Sequence, residues 1–548
     1  MKFAVENFKI FKERQEFDLK PMTILVGPNG SGKSSVINAL ELLNMAGEKP
    51  HINYTFNETF VNILKQIPNE QIFKNYPFRA LLHNYNAKEF SLECFGDGYE
   101  ENFNPKIKLT YKPDKNDYFG YLQKLEVFLG GEVLYTLMRE KRNKWRVGIN
   151  IQRLHYKFSI ENAFFEEDQE TPYFRVNSFL EESFLKYEDV FSIIEGYDGL
   201  EEILMAETLL RSKSMIFYTT EIKDLYELKF SLRNLLGSIE NNQKKLGFLN
   251  FSDNTNGRTA KNFFEDYLSK TFQSYLDDCF KTFNKSIFLN TNRTILDEKA
   301  KYTQPGNFAF VSMLVAQLNK KQSSKYLSYV SICMGIIFGK KVTNLQFAFD
   351  ENGNISISYL KNKIFTKLQN EAQGIISVFG ILATICYHLL NDNSDKERIN
   401  GYFYEEIGLG SMLGELHSDF QLNVLPRCFV LQEPEMNLHP NAQSNFADAL
   451  TIILNSIQNA NHRFILETHS EYIIRRFQYL VAKGEIKKEA IQIYYFNDPD
   501  KIQERDEVVY PINIDDDGSL NRPFGPGFYD EIGNIALKLL LLNKEQKN

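Results

Sequence analysis

The chain has 548 residues, 43% of them hydrophobic and 24% charged, which is enough apolar material for a sizeable core and too much for a disordered or fibrous protein. Its formal charge of −8 excludes a globally basic nucleic-acid binder and leaves any such contact to a local patch or a surface made by assembly. The five cysteines lie far apart with no CxxC pair, and read as reduced, buried thiols of a cytoplasmic protein rather than a disulfide framework or zinc site.

The opening segment MKFAVENFKIFKERQEF lacks the apolar run of a signal peptide. Residues 1 to about 45 read strand, turn, strand, loop, helix: MKFAVENF alternates, PMTILV is a short β-prone run, and SSVINALELLN has helical spacing behind a glycine-rich loop. From Phe78 to Ile151 the segments FRALLHNYN, FSLECFGDG, KIKLTYKP, KLEVFLGGEVLYTLM and WRVGINI favour strands separated by Gly, Asp or Asn turns, an antiparallel meander.

From Leu154 to Lys341 the character becomes helical, as in DLYELKFSLRNLLGSIENNQKKL and AKNFFEDYLSKTFQSYLDDCFKTFNK, with charges at i,i+4 spacing. No heptad register persists, so a compact helical insertion is expected rather than a long coiled coil. Strands return in LQFAFDENGNISISYLKN. The apolar stretch from Ile375 to Leu390 is about 16 residues, short of the roughly 20 needed to span a bilayer, and reads as a buried helix. RCFVLQEP, HRFILETH and IQIYYFND then supply short β runs separated by helices, the pattern of a parallel α/β sheet, before VVYPINIDDDG and a terminal helix over NIALKLLLLNK.

Three motifs carry chemistry. Gly27-Pro28-Asn29-Gly30-Ser31-Gly32-Lys33-Ser34 fits GxxxxGK[ST] between a strand and a helix, where glycines let backbone N–H groups turn inward as an anion nest. Lys33 then reaches the β- and γ-phosphates of a nucleotide and Ser34 ligates Mg²⁺. The apolar strand Phe429-Val430-Leu431-Gln432-Glu433 ends in an acid at a sheet's C-terminal edge, which makes Glu433 the candidate to orient or deprotonate an attacking water. A second short strand, RFILETH, ends in His469, placed to hydrogen-bond a γ-phosphate. The positive run Arg475-Arg476 with Lys483, Lys487 and Lys488 is either a solvated helix face or a patch that meets nucleic acid or a protein partner.

On the residues NFKIF…MTILVGPNGSGKSS, QEPEMNLHPNAQSNFADAL…FILETHSEYIIRRF and, more weakly, INIDDDGSL…GPGFYDEIG, the chain resembles the ABC-type ATPases with an SMC-like head used in bacterial anti-phage defence. Within these it is similar to the OLD-like group without a toprim nuclease, and above all to the PtuA family of Septu and retron-associated Septu systems. The resemblance covers both ends; no motif covers the middle.

It implies an α/β ABC-type (SMC/Rad50-like) P-loop ATPase head split by a large helical insertion, with ATP and Mg²⁺ as cofactors. Residues 1–153 form the N-terminal lobe, 154–341 the insertion and 342–548 the C-terminal lobe. Position by position, Asn29, Gly30, Ser31, Gly32, Lys33, Ser34 and Ser35 cradle the nucleotide, Glu433 is the catalytic acid, His469 the switch histidine, and Asn437-Leu438-His439-Pro440 the loop that crosses between protomers. Gly374, in Glu371-Ala372-Gln373-Gly374-Ile375-Ile376-Ser377, stands where the family clamps the partner's γ-phosphate. Gln432 occupies the place of the Mg²⁺-organising acid, so its amide carbonyl would have to serve, with a full negative charge given up.

The expected partners are a second copy in a homodimer or higher even-numbered assembly, a separate nuclease subunit (HNH first, toprim next), and nucleic acid, retron RNA or DNA included, with no membrane. The stretch after His469 is too short for an appended toprim nuclease, so this subunit is expected to cut nothing itself. Rival readings are a RecF/SMC-like repair ATPase and an ATP-locked scaffold with negligible hydrolysis.

Overall fold

A computed structural model describes residues 1–47, 78–96, 105–115, 120–141, 144–150, 215–222, 228–230, 234–235, 268–269, 272–273, 275–280, 283, 286–290, 320–339, 343–349, 355–361, 364–368, 371–390, 396–398, 421–423, 427–456, 462–500, 507–525 and 528. The chain divides into two compact units, each assembled from separated stretches. One is Met1–Phe17 with Glu41–Asn284; the other is Asp18–Leu40 with Lys285–Asn548.

The first unit is built on an eight-stranded sheet. Its strands are β1 (Lys2–Glu6), β2 (Gln15–Asp18), β4 (Phe90–Phe95), β5 (Lys106–Pro113), β6 (Gly120–Leu129), β7 (Glu132–Lys141), β8 (Lys144–Ile149) and β9 (Ile216–Glu221), in the order β2-β1-β4-β5-β6-β7-β8-β9. Every pairing from β1 through β9 is antiparallel, the expected meander. Alternating apolar residues turn one face into a core of aromatic rings: Phe3 stacks on Phe17 at 5.0 Å and Phe90 on Tyr111 at 5.3 Å. Glu93, buried in β4, is held by Arg14 at 2.9 Å, with Lys106 and Lys108 at 3.6 Å. One expected strand is absent. FRALLHNYN forms two 3₁₀ turns, Phe78–Leu81 and His83–Tyr85, because Asn84 and Tyr85 take φ of 49° and 59°, values that an extended strand does not admit.

The second unit centres on a six-stranded sheet of β3 (Met22–Val26), β10 (Ser286–Asn290), β16 (Cys428–Gln432), β17 (Arg463–Glu467), β18 (Ile491–Phe496) and β19 (Val509–Ile512). The order is β10-β16-β17-β3-β18-β19, parallel except for the antiparallel edge strand β19. Strand β3, from the start of the chain, therefore lies between β17 and β18 from its far end. The helices around this sheet are α1 (Lys33–Gly47), α2 (Lys320–Phe338), α3 (Gln373–Leu390), α4 (Pro440–Ser456) and α5 (Glu471–Ala482). A three-stranded sheet of β11 (Thr343–Phe349), β12 (Ile355–Lys361) and β13 (Ile364–Lys367) contains the strands expected in LQFAFDENGNISISYLKN, and β14 (Lys396–Arg398) pairs with β15 (Gln421–Asn423).

The central strands are buried on both faces, which is why they read as continuous apolar runs rather than alternating ones. Phe429 of β16 stacks on Phe464 of β17 at 5.1 Å, and Val378, Phe379 and Leu382 of α3 join the same core. Helix α3 is thus the buried helix expected from its apolar run; among the described residues no helix is long and apolar enough to cross a membrane. All five cysteines are free and buried, as their spacing suggests.

The span 154–341, expected to be helical, contains two described strands. IFYTTE makes β9 and SIFLN makes β10, both short runs of aromatic and β-branched residues of the kind that suits strands. Residues 275–280 and α2 are helical as expected. DLYELKFSLRNLLGSIENNQKKL lies mostly, and the terminal NIALKLLLLNK wholly, outside the described residues.

Candidate nucleotide site

The loop between β3 and α1 turns through Gly30 and Gly32 at φ of 76° and 98°, conformations that side-chain-bearing residues rarely adopt. Asn29 and Gly30 stand exposed at its tip, and Ser35 N–H donates to Gly32 O at 2.9 Å as α1 begins. Lys33 is only 3% exposed, and its ammonium donates to Gly27 O at 2.9 Å and Pro28 O at 2.8 Å. Burial lowers its pKa from the usual 10.5, while the carboxylates of Glu467, Glu433 and Glu435 oppose that shift. Inside the loop the Ser31 hydroxyl is buried and makes no hydrogen bond. A glycine turn at a helix N-terminus, an orphaned hydroxyl and a buried ammonium together fit a polyphosphate.

Beside the loop, the C-terminal ends of β16 and β17 stand in register with β3: Gln432 faces Glu467, and Glu467 faces Leu25. Glu433 N–H still donates to Glu467 O at 2.8 Å, and then the chain breaks away, with Glu433 at φ 45° and Asn437 at φ 62° bounding a tight turn. Left-handed conformations at non-glycine residues cost on the order of 1–3 kcal/mol each and persist where the surroundings enforce them. Here they aim the Glu433 carboxylate outward, its Oε1 3.7 Å from His469 Nε2. The His469 pKa is lowered by burial and by the Lys33 charge, with Glu433 opposing, which favours the neutral ring. Glu435 accepts the His469 backbone N–H, and Ser470 caps α5 by accepting Ile473 N–H at 3.2 Å. The structure thus brings Lys33, Ser34, Gln432, Glu433 and His469 to one edge of one sheet.

The model of the family described as "AAA ATPase domain" matches residues 1–474. The chain belongs to the AAA ATPase domain family. A second family model, described as "Protein of unknown function (DUF3696)", matches residues 486–539, which contain β18 and β19. No curated protein matches. Two solved structures align over nearly their full length. One is an SmcHead bound to the C-winged helix domain of ScpA, at 9% identity and a TM-score of 0.35, covering 93% of this chain and 97% of that one. The other is the SMC head domain from Thermotoga maritima, at 11% identity and a TM-score of 0.31, covering 94% of this chain and 98% of that one.

In this AAA ATPase domain protein the donor set near the P-loop suits Mg²⁺. Ser34 Oγ donates to Glu467 Oε1 at 2.9 Å, which places a hydroxyl and a carboxylate side by side at the loop. Among the described residues no three His, Cys, Asp or Glu gather to hold a metal on their own. A nucleotide-bound Mg²⁺ needs only one or two protein oxygens, the rest of its shell being phosphates and water. Glu435 and Glu467 were missed as site residues by the sequence reading; the signal available was that both flank the chosen pair, two residues beyond Glu433 and two before His469.

Gly374 stands before the apolar run of α3, as expected, and packs within its own chain. It is buried at the start of α3, and a Cβ there would stand 2.4 Å from Asn437 O and 2.9 Å from Leu438 Cδ2 of the same chain. Its lack of a side chain is therefore required by the turn that follows Glu433, a requirement independent of any second protomer.

The basic run divides into local pairs. Arg476 binds Asp448 at 2.7 Å and so ties α5 to α4, Arg475 pairs with Glu471 at 3.2 Å, Lys488 with Asp516 at 2.6 Å, and Lys483 with Glu485. Four of the five charges meet an acid, which favours the solvated-face reading over a nucleic-acid patch.

Proposed function

We propose that this AAA ATPase domain protein is a Mg²⁺-dependent ATPase whose heads pair around ATP and thereby hold or release a separate nuclease in anti-phage defence. The observation that carries the ATPase reading is the gathering of Lys33, Ser34, Glu433 and His469 at the edge of β16, β17 and β3. Lys33 offers its charge to the β- and γ-phosphates, Glu433 orients or deprotonates the attacking water, and the neutral His469 ring hydrogen-bonds the phosphoryl group. ATP brings the phosphoanhydride to be cleaved, and Mg²⁺ offsets charge on its phosphates.

Head pairing and defence rest on the sequence resemblance, carried by QEPEMNLHP and FILETHSEYIIRRF, and on the exposure of Asn437 and His439 in the loop expected to cross between protomers. The partner expected is an HNH or toprim nuclease, this chain cutting nothing itself, in the cytoplasm. Gln432 favours a second reading, an ATP-locked scaffold with negligible turnover, because an amide stands where the family has an acid.

The mass of the Glu433→Gln protein, measured by light scattering with and without ATP, tests pairing: ATP should raise it at least twofold, and an unchanged monomer mass refutes pairing. Expression of the chain with a neighbouring nuclease gene should reduce plaque formation in a Lys33-dependent way; equal plating with and without Lys33 refutes the defence role.

A further inference from the structure

We propose that Glu467 is the carboxylate that, with Ser34, holds the divalent cation of the bound nucleotide, supplying the charge that Gln432 lacks. The inference deepens the ATPase reading and rests on it.

Position argues first. In the sheet order β16-β17-β3, Gln432 ends the strand two removed from the P-loop, whereas Glu467 ends the strand next to it. The two residues stand at the same height, paired in register, so an acid moved from the end of β16 to the end of β17 comes one strand closer to the loop. Contact argues next. The Ser34 hydroxyl donates to Glu467 Oε1 at 2.9 Å. Ser34 is the position whose hydroxyl the P-loop motif assigns to the cation, so the carboxylate that meets it is in place to share that cation.

Charge argues last. Glu467 is 5% exposed, and the Lys33 ammonium gives its hydrogen bonds to the carbonyls of Gly27 and Pro28. A buried carboxylate whose hydrogen bond comes from a neutral hydroxyl leaves acceptor capacity for a cation. A divalent cation at Ser34 would use that capacity. Glu433 does not compete for the role, since its φ of 45° turns it out of the strand towards His469. The alternative is that Glu467 only fixes the Ser34 rotamer; cation dependence separates the two.

The test measures the affinity of the full-length protein for a fluorescent ATP analogue, with Mg²⁺ and with EDTA, and Mn²⁺ binding to the nucleotide complex by electron paramagnetic resonance. Wild type should bind more tightly with Mg²⁺. Glu467→Gln, close in shape, should bind the analogue in EDTA within twofold of wild type, lose the Mg²⁺ gain, and bind Mn²⁺ at least about tenfold more weakly. Gln432→Ala should keep both the gain and the Mn²⁺ affinity. The double variant Gln432→Glu/Glu467→Gln should recover part of the Mn²⁺ affinity. Should Glu467→Gln fail to fold, Glu467→Asp, which keeps the charge on a shorter arm, should show an intermediate Mn²⁺ affinity. A Glu467 variant with the full wild-type Mg²⁺ gain and Mn²⁺ affinity, or a Gln432→Ala protein that loses both, overturns the assignment alone. Wild type that binds no nucleotide in either condition overturns the ATPase reading with it.

Discussion

Glu435 Oε1 accepts the backbone N–H of His469 at 2.7 Å, which ties the turn after β16 to the end of β17. The carboxylate is buried, and that burial raises its pKa while the His469 N–H lowers it. Glu435→Ala leaves this N–H without its partner, at a cost of about 1–3 kcal/mol, and loosens the backbone that sets the His469 ring. Its thermal midpoint should fall and kcat drop about tenfold, with ATP affinity within twofold of wild type. Glu435→Gln keeps an acceptor and should retain most of both. Equal kcat in Glu435→Ala and wild type would show that this bond does not position His469.

A second prediction concerns acid. His462 is buried and accepts Arg427 N–H at Nδ1, 3.1 Å away; burial, aided by the Arg427 charge, pushes its pKa from 6.5 down to about 4. A histidine depressed in the folded state binds fewer protons there than in the unfolded chain. Its stabilisation is therefore complete above pH 6.5 and is lost as pH falls towards 4, an effect of about 3 kcal/mol. His388 in α3, lowered to about 3 by burial, acts in the same direction. Urea melts between pH 7.5 and 4.5 should show this slope, and His462→Asn, which keeps an acceptor for Arg427, should flatten it. An unchanged slope in that variant would contradict the assignment.

Gly374 makes a third test. Its place against Asn437 O leaves no room for a Cβ, so Gly374→Ala should destabilise the isolated chain by about 1–3 kcal/mol through overpacking. Differential scanning calorimetry in dilute solution, without nucleotide, reads this directly. An unaltered midpoint would mean that α3 or the 433–438 turn shifts without cost.

Much of this arrangement was legible in the sequence because the responsible patterns are local. MTILV and CFVLQ are apolar runs that parallel burial on both faces requires, and the P-loop glycines announce their own turn. What stayed hidden is register. That Glu467 stands opposite Gln432 and meets Ser34 depends on which strands adjoin, a relation between residues 34 and 467 that no spacing records. Strands β9 and β10 were obscured for a related reason: each is short, lies among helix-like stretches, and is called into strand form by a neighbour far away in the chain, β8 and β16 respectively. FRALLHNYN erred the other way, its apolar residues suggesting a strand while Asn84 and Tyr85 took left-handed turns.

The central claim, that the edge of β3, β17 and β16 is an ATP-hydrolysing site with Glu433 acting on the water, is tested most directly by single-turnover hydrolysis of radiolabelled ATP under excess enzyme. Lys33→Ala serves as the control that binds no ATP. Glu433→Gln should bind ATP with near-wild-type affinity, since the P-loop and Lys33 are untouched, and should cleave it at least about 100-fold more slowly than wild type. Measurable wild-type cleavage that Glu433→Gln matches in rate would contradict the account.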